Sequence, residues 1–350
     1  MFPALRTGAR RAPGRGRGRR RPALAVGAAV LLTSCTPAAS GGAVSESGPH
    51  AAADRAAGGR VYVTNHFDNT LSVIDARSNK VVATVDAGVA PEGIAVSPDG
   101  SRVYIADNGA ARISILDART NKLTGTVPVG NNPTDVAVSP DGRFVYVANG
   151  GSNSVSVLDT RTDQVTATVP VGSSPASVAL SRDGATAYVA NLGSGNLSVI
   201  DTRTVRVTRN VPAGRTPAGV ALTPDGESAY VADETAAKVL AINIRTEEMT
   251  AVRVGGAPFD VAVAPDGRTA YTADIGPGSI SVVDIGGHRV QATVAVGTAG
   301  TDPFDIEVTD HAVYVTQPGA DALAVIDPKT RKVVARVPVG NSPYGVAVSP

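Results

Sequence analysis

The feature that most constrains the fold is a four-residue segment, Ser139-Pro140-Asp141-Gly142, set between two runs of alternating β-branched residues. Successive side chains of a strand point to opposite faces, so the period of two on each side predicts two strands. Pro140 presets φ at the second position of a type I turn, and Gly142 can adopt the positive φ that closes the turn with a bulge. The segment therefore predicts a β-hairpin.

Close copies of this hairpin recur from Arg60 onward with a period near 42 residues. The segments Ser101–Gly142, Arg143–Gly184 and Ala185–Gly226 each contain 42 residues, and Glu227–Gly267 contains 41. Each unit holds four strand-like runs without a helical period. In the third unit these runs are Val145–Asn149, Val155–Asp159, Val165–Val171 and Val178–Ser181.

Seven such units fill residues 60–350. A solenoid would need polar capping units, which the sequence lacks, and a sandwich would not repeat at this period. A ring of seven four-stranded antiparallel sheets fits the counts. The sequence therefore predicts an all-β fold, a seven-bladed β-propeller, over residues 60–350.

The start of each unit resembles the YVTN β-propeller repeat. Tyr62-Val63-Thr64-Asn65 is the literal signature, and six variants follow in register, at Tyr104–Asp107, Tyr146–Asn149, Tyr188–Asn191, Tyr230–Asp233, Tyr271–Asp274 and Tyr314–Gln317. The resemblance implies a seven-bladed propeller of the kind typical of secreted or surface-exposed bacterial and archaeal proteins. Tryptophan–aspartate repeats are excluded because the chain has no tryptophan.

The chain should close its ring with its last strand. The first unit begins at what is the second strand of a blade, and residues 346–349 repeat the strand that should precede it. We therefore predict that the C-terminal strand is the innermost strand of the first blade, which leaves no open sheet edge at the seam.

The first 59 residues are typical of an export signal followed by a tether. The apolar run from Ala23 to Leu32 is too short to span a bilayer, which takes about 20 residues, but suits a signal peptide. Leu32-Thr33-Ser34-Cys35 resembles the bacterial lipoprotein box, which implies cleavage before Cys35 and a lipid on its sulfur. We predict a lipoprotein signal at residues 1–34 and an Ala/Gly/Ser/Pro tether at residues 35–59.

These segments predict an exported protein held at the outer face of the cell membrane through lipidated Cys35. Arg19-Arg20-Arg21 faintly resembles a twin-arginine signal, so general and twin-arginine export both stay open. Eight arginines lie in the first 21 residues; without them 24 basic residues face 31 acidic ones, a net charge of −7. An acidic domain argues against nucleic acid as a partner. The single cysteine excludes an intramolecular disulfide framework.

Loops at the two ends of the blades differ in how strictly they repeat. The Pro-Asp-Gly and Asp-x-Arg-Thr turns share one face, the bottom, and the Val-Gly-x-x-Pro links share the other, the top. The bottom places basic residues at one turn position, namely Arg77, Arg119, Arg161, Arg203, Arg245 and Lys329. These could form an anion-binding ring, but a local partner aspartate in most turns favours ordinary solvated turn residues.

The top departs from the repeat and is the predicted site. The residue after each linking proline is, in chain order, Glu92, Thr134, Ala176, Ala218, Phe259, Phe304 and Tyr344. Asp135, Asp260 and Asp305 come next in their blades, and His66-Phe67-Asp68 lies on the same side. The candidate ligand-binding residues are Phe259, Asp260, Phe304, Asp305, Tyr344, Glu92 and His66. Aromatic faces beside carboxylates suit a sugar, a peptide or a cationic group.

Catalytic patterns are sparse. The four histidines, His50, His66, His288 and His311, are scattered, so neither a metal site nor a cofactor is predicted. The Asp260/Asp305 pair could serve acid–base chemistry or bind a cation, or could simply cap backbone amides. The aromatic rings could instead only plug the channel.

Three functions stay open. The first is a monomeric, lipid-anchored binding or interaction scaffold for a carbohydrate, peptide or protein at the cell envelope. The second is a hydrolase or dehydrogenase of the lactonase or quinoprotein kind with its site at the top of the channel. The third is a structural surface component. The short top loops favour the readings without catalysis.

Overall fold

The computed structural model describes residues 59–350, which form seven four-stranded antiparallel sheets arranged as the blades of a ring. The predicted signal peptide and nearly all of the predicted tether, including Cys35, lie outside the described residues. We number the blades 1 to 7 from the sheet that contains the first strand.

Each blade runs from an innermost to an outermost strand. Blade 1 contains β28 (Pro343–Val348), β1 (Arg60–Asn65), β2 (Thr70–Asp75) and β3 (Lys80–Asp86). Blades 2 to 4 are β4 (Pro91–Val96), β5 (Arg102–Asp107), β6 (Arg112–Asp117), β7 (Lys122–Pro128); β8 (Pro133–Val138), β9 (Phe144–Asn149), β10 (Ser154–Asp159), β11 (Gln164–Pro170); and β12 (Pro175–Leu180), β13 (Thr186–Asn191), β14 (Asn196–Asp201), β15 (Arg206–Pro212).

Blades 5 to 7 repeat the pattern. They are β16 (Pro217–Leu222), β17 (Ser228–Asp233), β18 (Lys238–Asn243), β19 (Met249–Arg253); β20 (Ala257–Val263), β21 (Thr269–Ile275), β22 (Ser279–Asp284), β23 (Arg289–Ala295); and β24 (Ile306–Val308), β25 (Val313–Gln317), β26 (Ala322–Asp327), β27 (Lys332–Pro338). Three-residue 3-10 turns follow β5, β17 and β25. The strands of the third unit begin and end within three residues of the predicted positions.

The turn between β8 and β9 has the predicted geometry. Gly142 has a φ of 70° and donates its backbone N–H to the carbonyl of Ser139. The Asp141 carboxylate accepts bonds from the Ser139 hydroxyl at 2.6 Å and from the Arg143 backbone N–H at 3.0 Å. The turn therefore repeats because its side chains satisfy its own backbone.

The last residue of each Tyr-Val-x-Asn repeat is a buried polar group, and in five of the seven blades its partner is a serine seven residues later. Asn149 lies at 0% exposure and donates to the Ser156 hydroxyl on the neighbouring strand at 3.0 Å. Asn65 and Asn191 likewise donate to the hydroxyls of Ser72 and Ser198, whereas Asp107 and Asp274 accept from the hydroxyls of Ser114 and Ser281. A buried polar group is costly without a hydrogen bond, which explains why Asn or Asp recurs with Ser seven residues later.

The tyrosines of the repeat belong to cores that neighbouring blades share. Tyr62 of blade 1 packs with Ile94 and Ile105 of blade 2, and Tyr104 packs with Val136 and Val147 of blade 3. Corresponding clusters fill the remaining blade-to-blade interfaces. Both faces of each sheet are therefore buried without tryptophan.

The ring closes as predicted. β28 pairs antiparallel with β1, with Val346 opposite Val63 and Val348 opposite Val61. Innermost strands of successive blades contact one another all the way round, including β24 with β28 and β28 with β4. These strands line a central channel. Over residues 59–350 we find no helix with the length and apolar character needed to cross a membrane.

Candidate functional site

The central channel encloses about 630 Å³ and is lined by residues of all seven innermost strands. Equivalent positions on those strands form successive levels that descend from the top. We call the residue after each linking proline level one, the next residue level two, and the residue two further along level three. The alternation of strand side chains gives each level its own environment.

Level one joins three aromatic rings on consecutive blades. The ring centroids of Phe259 and Phe304 lie 3.9 Å apart in a stacked arrangement, and those of Phe304 and Tyr344 lie 4.3 Å apart. Tyr344 stacks in turn on His66, with centroids 4.5 Å apart. Phe67 meets His66 edge to face at 5.2 Å. These five rings, Phe259, Phe304, Tyr344, His66 and Phe67, form one continuous aromatic arc.

The end of the arc is held by backbone contacts between two top loops. His66 and Phe67 donate their N–H groups to the carbonyls of Ser342 and Asn341. The Asp68 carboxylate accepts the N–H of Asn341 at 2.8 Å. Phe67 nevertheless leaves 66% of its surface exposed, whereas the four other members of the arc are half-buried. The loop thus presents a large apolar ring to solvent at the channel rim.

Glu92 adjoins the arc beside His66. Its Oε1 lies 3.8 Å from His66 Nδ1, too far for a hydrogen bond. Burial raises the pKa of Glu92 to about 7 and lowers the pKa of His66. Burial therefore outweighs mutual attraction: near neutral pH His66 favours its neutral form, and Glu92 is close to half protonated.

The aspartates of level two join neighbouring blades. Asp305 of blade 7 accepts the backbone N–H of Val346 in blade 1 at 2.7 Å and that of Ile306 at 2.8 Å. Asp135 of blade 3 accepts the N–H of Val178 in blade 4 at 2.9 Å. Asp260 of blade 6 accepts the N–H of Ile306 at 3.2 Å. Each aspartate thus has the amide-capping role that the sequence left as one alternative.

Asp260 and Asp305 also interact with each other. Burial, the charge of Asp305 and a hydrogen bond to Asp305 together raise the pKa of Asp260 well above its usual range. Burial raises the pKa of Asp305 as well. Because the two carboxyls share one hydrogen bond, the pair retains a proton well above the usual aspartate range. Asp135 adds to this field, and burial raises its own pKa to about 6.

Glu307 at level three is a site residue that the sequence reasoning missed. It lines the channel two residues after Asp305, and burial, followed by the charge of Asp305, raises its pKa to about 8. The sequence carried the signal. The other six blades have alanine at this position: Ala95, Ala137, Ala179, Ala221, Ala262 and Ala347.

The structure therefore brings all seven predicted ligand-binding residues to one end of the channel. The described residues that line the channel include five acidic side chains and no Lys, Arg or His. The acids are Glu92, Asp135, Asp260, Asp305 and Glu307. Within residues 59–350, no group of three or more His, Cys, Asp and Glu side chains is arranged to hold a metal ion.

The bottom face bears the repeated basic positions as exposed turn residues. Arg161 pairs with Asp159 of its own turn at 3.1 Å. Asp75 and Asp117 accept side-chain hydroxyl and backbone N–H groups within their turns, and Asp201 accepts a backbone N–H and a hydroxyl; these bonds lower the pKa of each carboxyl. These contacts favour the solvated-turn interpretation over a convergent anion site.

Comparisons with known proteins identify the class. One family model, described as a seven-bladed β-propeller lactonase, matches residues 32–168, and a second, described as a YNCE-like β-propeller, matches residues 137–226. Together with seven closed blades, these matches make the chain a seven-bladed β-propeller protein.

Solved structures share the fold. Hydrazine synthase of Kuenenia stuttgartiensis matches with a TM-score of 0.67 and 26% identity, over 73% of this chain and 89% of that one. A functionally unknown protein from Desulfotomaculum acetoxidans matches with a TM-score of 0.71 and 15% identity, over 83% and 98% of the two chains. The dihydro-heme d1 dehydrogenase NirN matches with a TM-score of 0.61 and 20% identity, over 79% and 63%.

A curated relative covers much less. PE-PGRS family protein PE_PGRS18 of Mycobacterium tuberculosis is 51% identical over 41 residues, 12% of this chain. The chain matches only 9% of the length of that relative. Of the solved structures above, the Desulfotomaculum acetoxidans protein and NirN are below 25% identity and bear on the fold alone.

Proposed function

We propose that this protein is a lipid-anchored extracytoplasmic β-propeller of the YVTN-repeat kind that binds a ligand at the top of its channel. The seven tyrosine-led repeats support the repeat type, and the lone cysteine after Leu32-Thr33-Ser34 supports the anchor. On this proposal the propeller acts as a binding scaffold at the cell envelope and performs no chemistry.

The observation that carries the proposal is the aromatic arc. Phe67, which ends the arc, is 66% exposed on a loop whose backbone is fixed by hydrogen bonds. Burying apolar surface stabilises by about 25 cal/mol per Å², so a ligand that covered this ring would gain affinity at little cost in loop ordering. Rings beside carboxylates suit flat, CH-rich or cationic groups.

A thermal-shift screen with glycan, peptide and amine panels tests the binding function. We expect at least one ligand to raise the melting temperature, and Phe304→Ala to remove that rise because it interrupts the stacked arc. Ala176→Ser, at the same level on the opposite side of the mouth, is the matched control and should keep the shift. Absence of any Phe304-dependent shift across the panels would favour a structural surface component instead.

The anchor is tested by fractionation. Cells that express the wild type should hold the protein in the membrane fraction, and mass spectrometry should find the mature chain beginning at lipidated Cys35. Cys35→Ser should abolish both the membrane association and the lipidated N-terminus. A wild-type protein that is released without lipid would contradict the anchor while leaving the binding proposal intact.

A second candidate is a propeller hydrolase or dehydrogenase. The proton shared by Asp260 and Asp305 favours it, since one carboxyl could act as acid while the other acts as base. The match to the lactonase family model over residues 32–168 gives further support. Against it, both aspartates are engaged with backbone amides of the scaffold.

Turnover assays separate the two candidates. The binding function predicts no turnover of lactones and no quinone-dependent oxidation of alcohols by the purified full-length protein. Turnover that is lost in both Asp260→Asn and Asp305→Asn, with the fold retained, would establish the enzyme and displace the scaffold.

A further inference from the structure

Glu307 is a carboxyl that the propeller scaffold does not require. Six blades use alanine at level three, and only blade 7 uses glutamate. The side chain lines the channel from β24, three residues beyond Phe304, which is at most about 10 Å along the chain. A residue that burial makes costly, at a position where alanine suffices, points to a role in recognition.

Among the described strands, those packed around Glu307 carry no cationic side chain. The titratable side chains on the described strands packed against β24 are Asp260 on β20, Tyr271 and Asp274 on β21, Tyr314 on β25 and Tyr344 on β28. Asp305 lies on its own strand and raises its pKa further. Every charge that reaches Glu307 from these elements is therefore negative or absent.

The aromatic arc and this carboxyl call for the same ligand chemistry. Aromatic faces attract cations and apolar groups, and a buried carboxyl without a counter-ion is stabilised by a cation that arrives with the ligand. A neutral sugar could pack against the rings of the arc but would not supply a charge to pair with Glu307. An anionic ligand would meet the field of the carboxyls that line the channel.

We propose that the ligand of this site is an organic amine, whose apolar body lies against Phe304 and Tyr344 and whose ammonium group enters the channel to pair with the carboxyl of Glu307. This inference rests on the binding function proposed above and names its class of ligand. Asp260 and Asp305, on the path between arc and Glu307, attract the same charge.

Binding on this scheme releases a proton. Burial raises the pKa of Glu307 to about 8, so near pH 7 the carboxyl of the free protein is protonated. The arriving ammonium stabilises the carboxylate, and the proton passes to solvent. Affinity for an amine should therefore rise with pH until about pH 8, whereas affinity for an uncharged analogue should not.

Calorimetric titration of the full-length protein with matched phenylalkylamines and phenylalkanols of graded stem length tests the proposal. We expect an amine to bind at least about tenfold more tightly than its alcohol, with an observed enthalpy that varies with the ionisation enthalpy of the buffer and so reports proton release. Glu307→Gln should reduce this ratio towards one and remove the pH dependence. Glu307→Ala, which restores the alanine of the other blades, is a second variant that should fold securely and behave likewise.

Several results would overturn the amine proposal. They are equal affinity of amine and alcohol, absence of amine binding at every stem length, or a ratio unchanged by Glu307→Gln. If neutral glycans or peptides still bind in a Phe304-dependent way, the proposed binding function stands and only the amine assignment falls. If no probe of any class shows Phe304-dependent binding, both proposals fall.

Discussion

The two halves of the channel mouth are built on one repeat but are chemically opposite. Blades 6, 7 and 1 place Phe259, Phe304 and Tyr344 at level one, whereas blades 3, 4 and 5 place Thr134, Ala176 and Ala218 there. The strands of the two halves have the same topology and similar buried cores. Small side chains are therefore sufficient for the scaffold, and the aromatic half carries groups that the fold does not need.

Level two modifies this contrast. Asp135 lies in the plain half and Asp305 in the aromatic half, yet each accepts the backbone N–H of the following blade, at 2.9 and 2.7 Å. These aspartates consequently belong to the scaffold in both halves. What distinguishes the aromatic half is the shared proton of Asp260 and Asp305, together with Glu307 one level deeper.

The largest effect is expected from a chain that ends at Ser342. This truncation removes β28, which bears Tyr344 and supplies the innermost strand of blade 1, so β1 gains an open edge. We expect loss of cooperative thermal unfolding or aggregation, measured by circular dichroism and light scattering. A chain that lacks only Pro350 is the control. Melting of the truncated chain within a few degrees of the control would contradict this view of closure.

The next effect compares the aspartates of the two halves directly. Asp305→Ala and Asp135→Ala should each reduce the free energy of unfolding by about 1–3 kcal/mol, because each leaves the backbone N–H of the following blade, that of Val346 or Val178, without its acceptor. Chemical denaturation measures both. Similar losses would place the aspartates in the scaffold, whereas a negligible loss for Asp305→Ala would assign that carboxyl to the site instead.

Glu307→Ala should instead increase the free energy of unfolding. Removing a half-buried carboxyl that has no counter-ion among the described residues should stabilise the protein by about 1–3 kcal/mol near pH 8. The ordinary glutamate pKa is 4.5 and the folded value is about 8, so between these values the folded state holds a proton that the unfolded state has released. Wild-type stability from this group is therefore present below pH 4.5 and lost as pH rises to 8.

The stabilisation by Glu307→Ala should accordingly shrink as the pH is lowered to about 5. Ala179→Glu makes the reverse change at level three of the plain half and should destabilise the protein near pH 8. Denaturant titrations at both pH values provide the measurement. A Glu307→Ala protein less stable than the wild type near pH 8 would show that the carboxyl has a structural partner.

The smallest effect on stability should come from Phe67→Ser. The ring is 66% exposed, so its loss should change the free energy of unfolding by no more than about 0.5 kcal/mol. Binding of any mouth ligand should nevertheless weaken, because the end of the arc is lost. A calorimetric comparison with Val89→Ser, an exposed apolar residue outside the arc, tests this; equal affinity for all three proteins would exclude Phe67 from the site.

Much of the architecture could be predicted because the repeat is local chemistry. Gly142 permits its turn, and the buried amide N–H of Asn149 donates to Ser156 on the neighbouring strand. These turns and hydrogen-bonded pairs involve residues close together in sequence, and most blades repeat them. The predicted mouth residues could be found by aligning the seven units and looking for positions where one unit differs from the others.

Glu307 could have been found in the same way, since it alone replaces alanine at level three. It was missed because the comparison stopped at the two residues after the proline. The role of the level-two aspartates, in contrast, could not be predicted by comparing the units. Whether Asp305 would cap an amide or meet Asp260 depends on the distance between blades, which no spacing along the chain specifies.

The sequence by itself determined the seven blades, the closing strand and the end of the channel where the repeat departs from its pattern, because strand alternation, turn geometry and buried pairing are encoded within each 42-residue unit. Only the tertiary structure decided that five rings form one arc, that Asp305 is joined to Val346 41 residues away, and that no Lys, Arg or His of residues 59–350 lines the channel beside Glu307. Those properties arise from ring closure, which brings separate blades into contact and partly desolvates carboxyls that the local sequence would leave fully solvated.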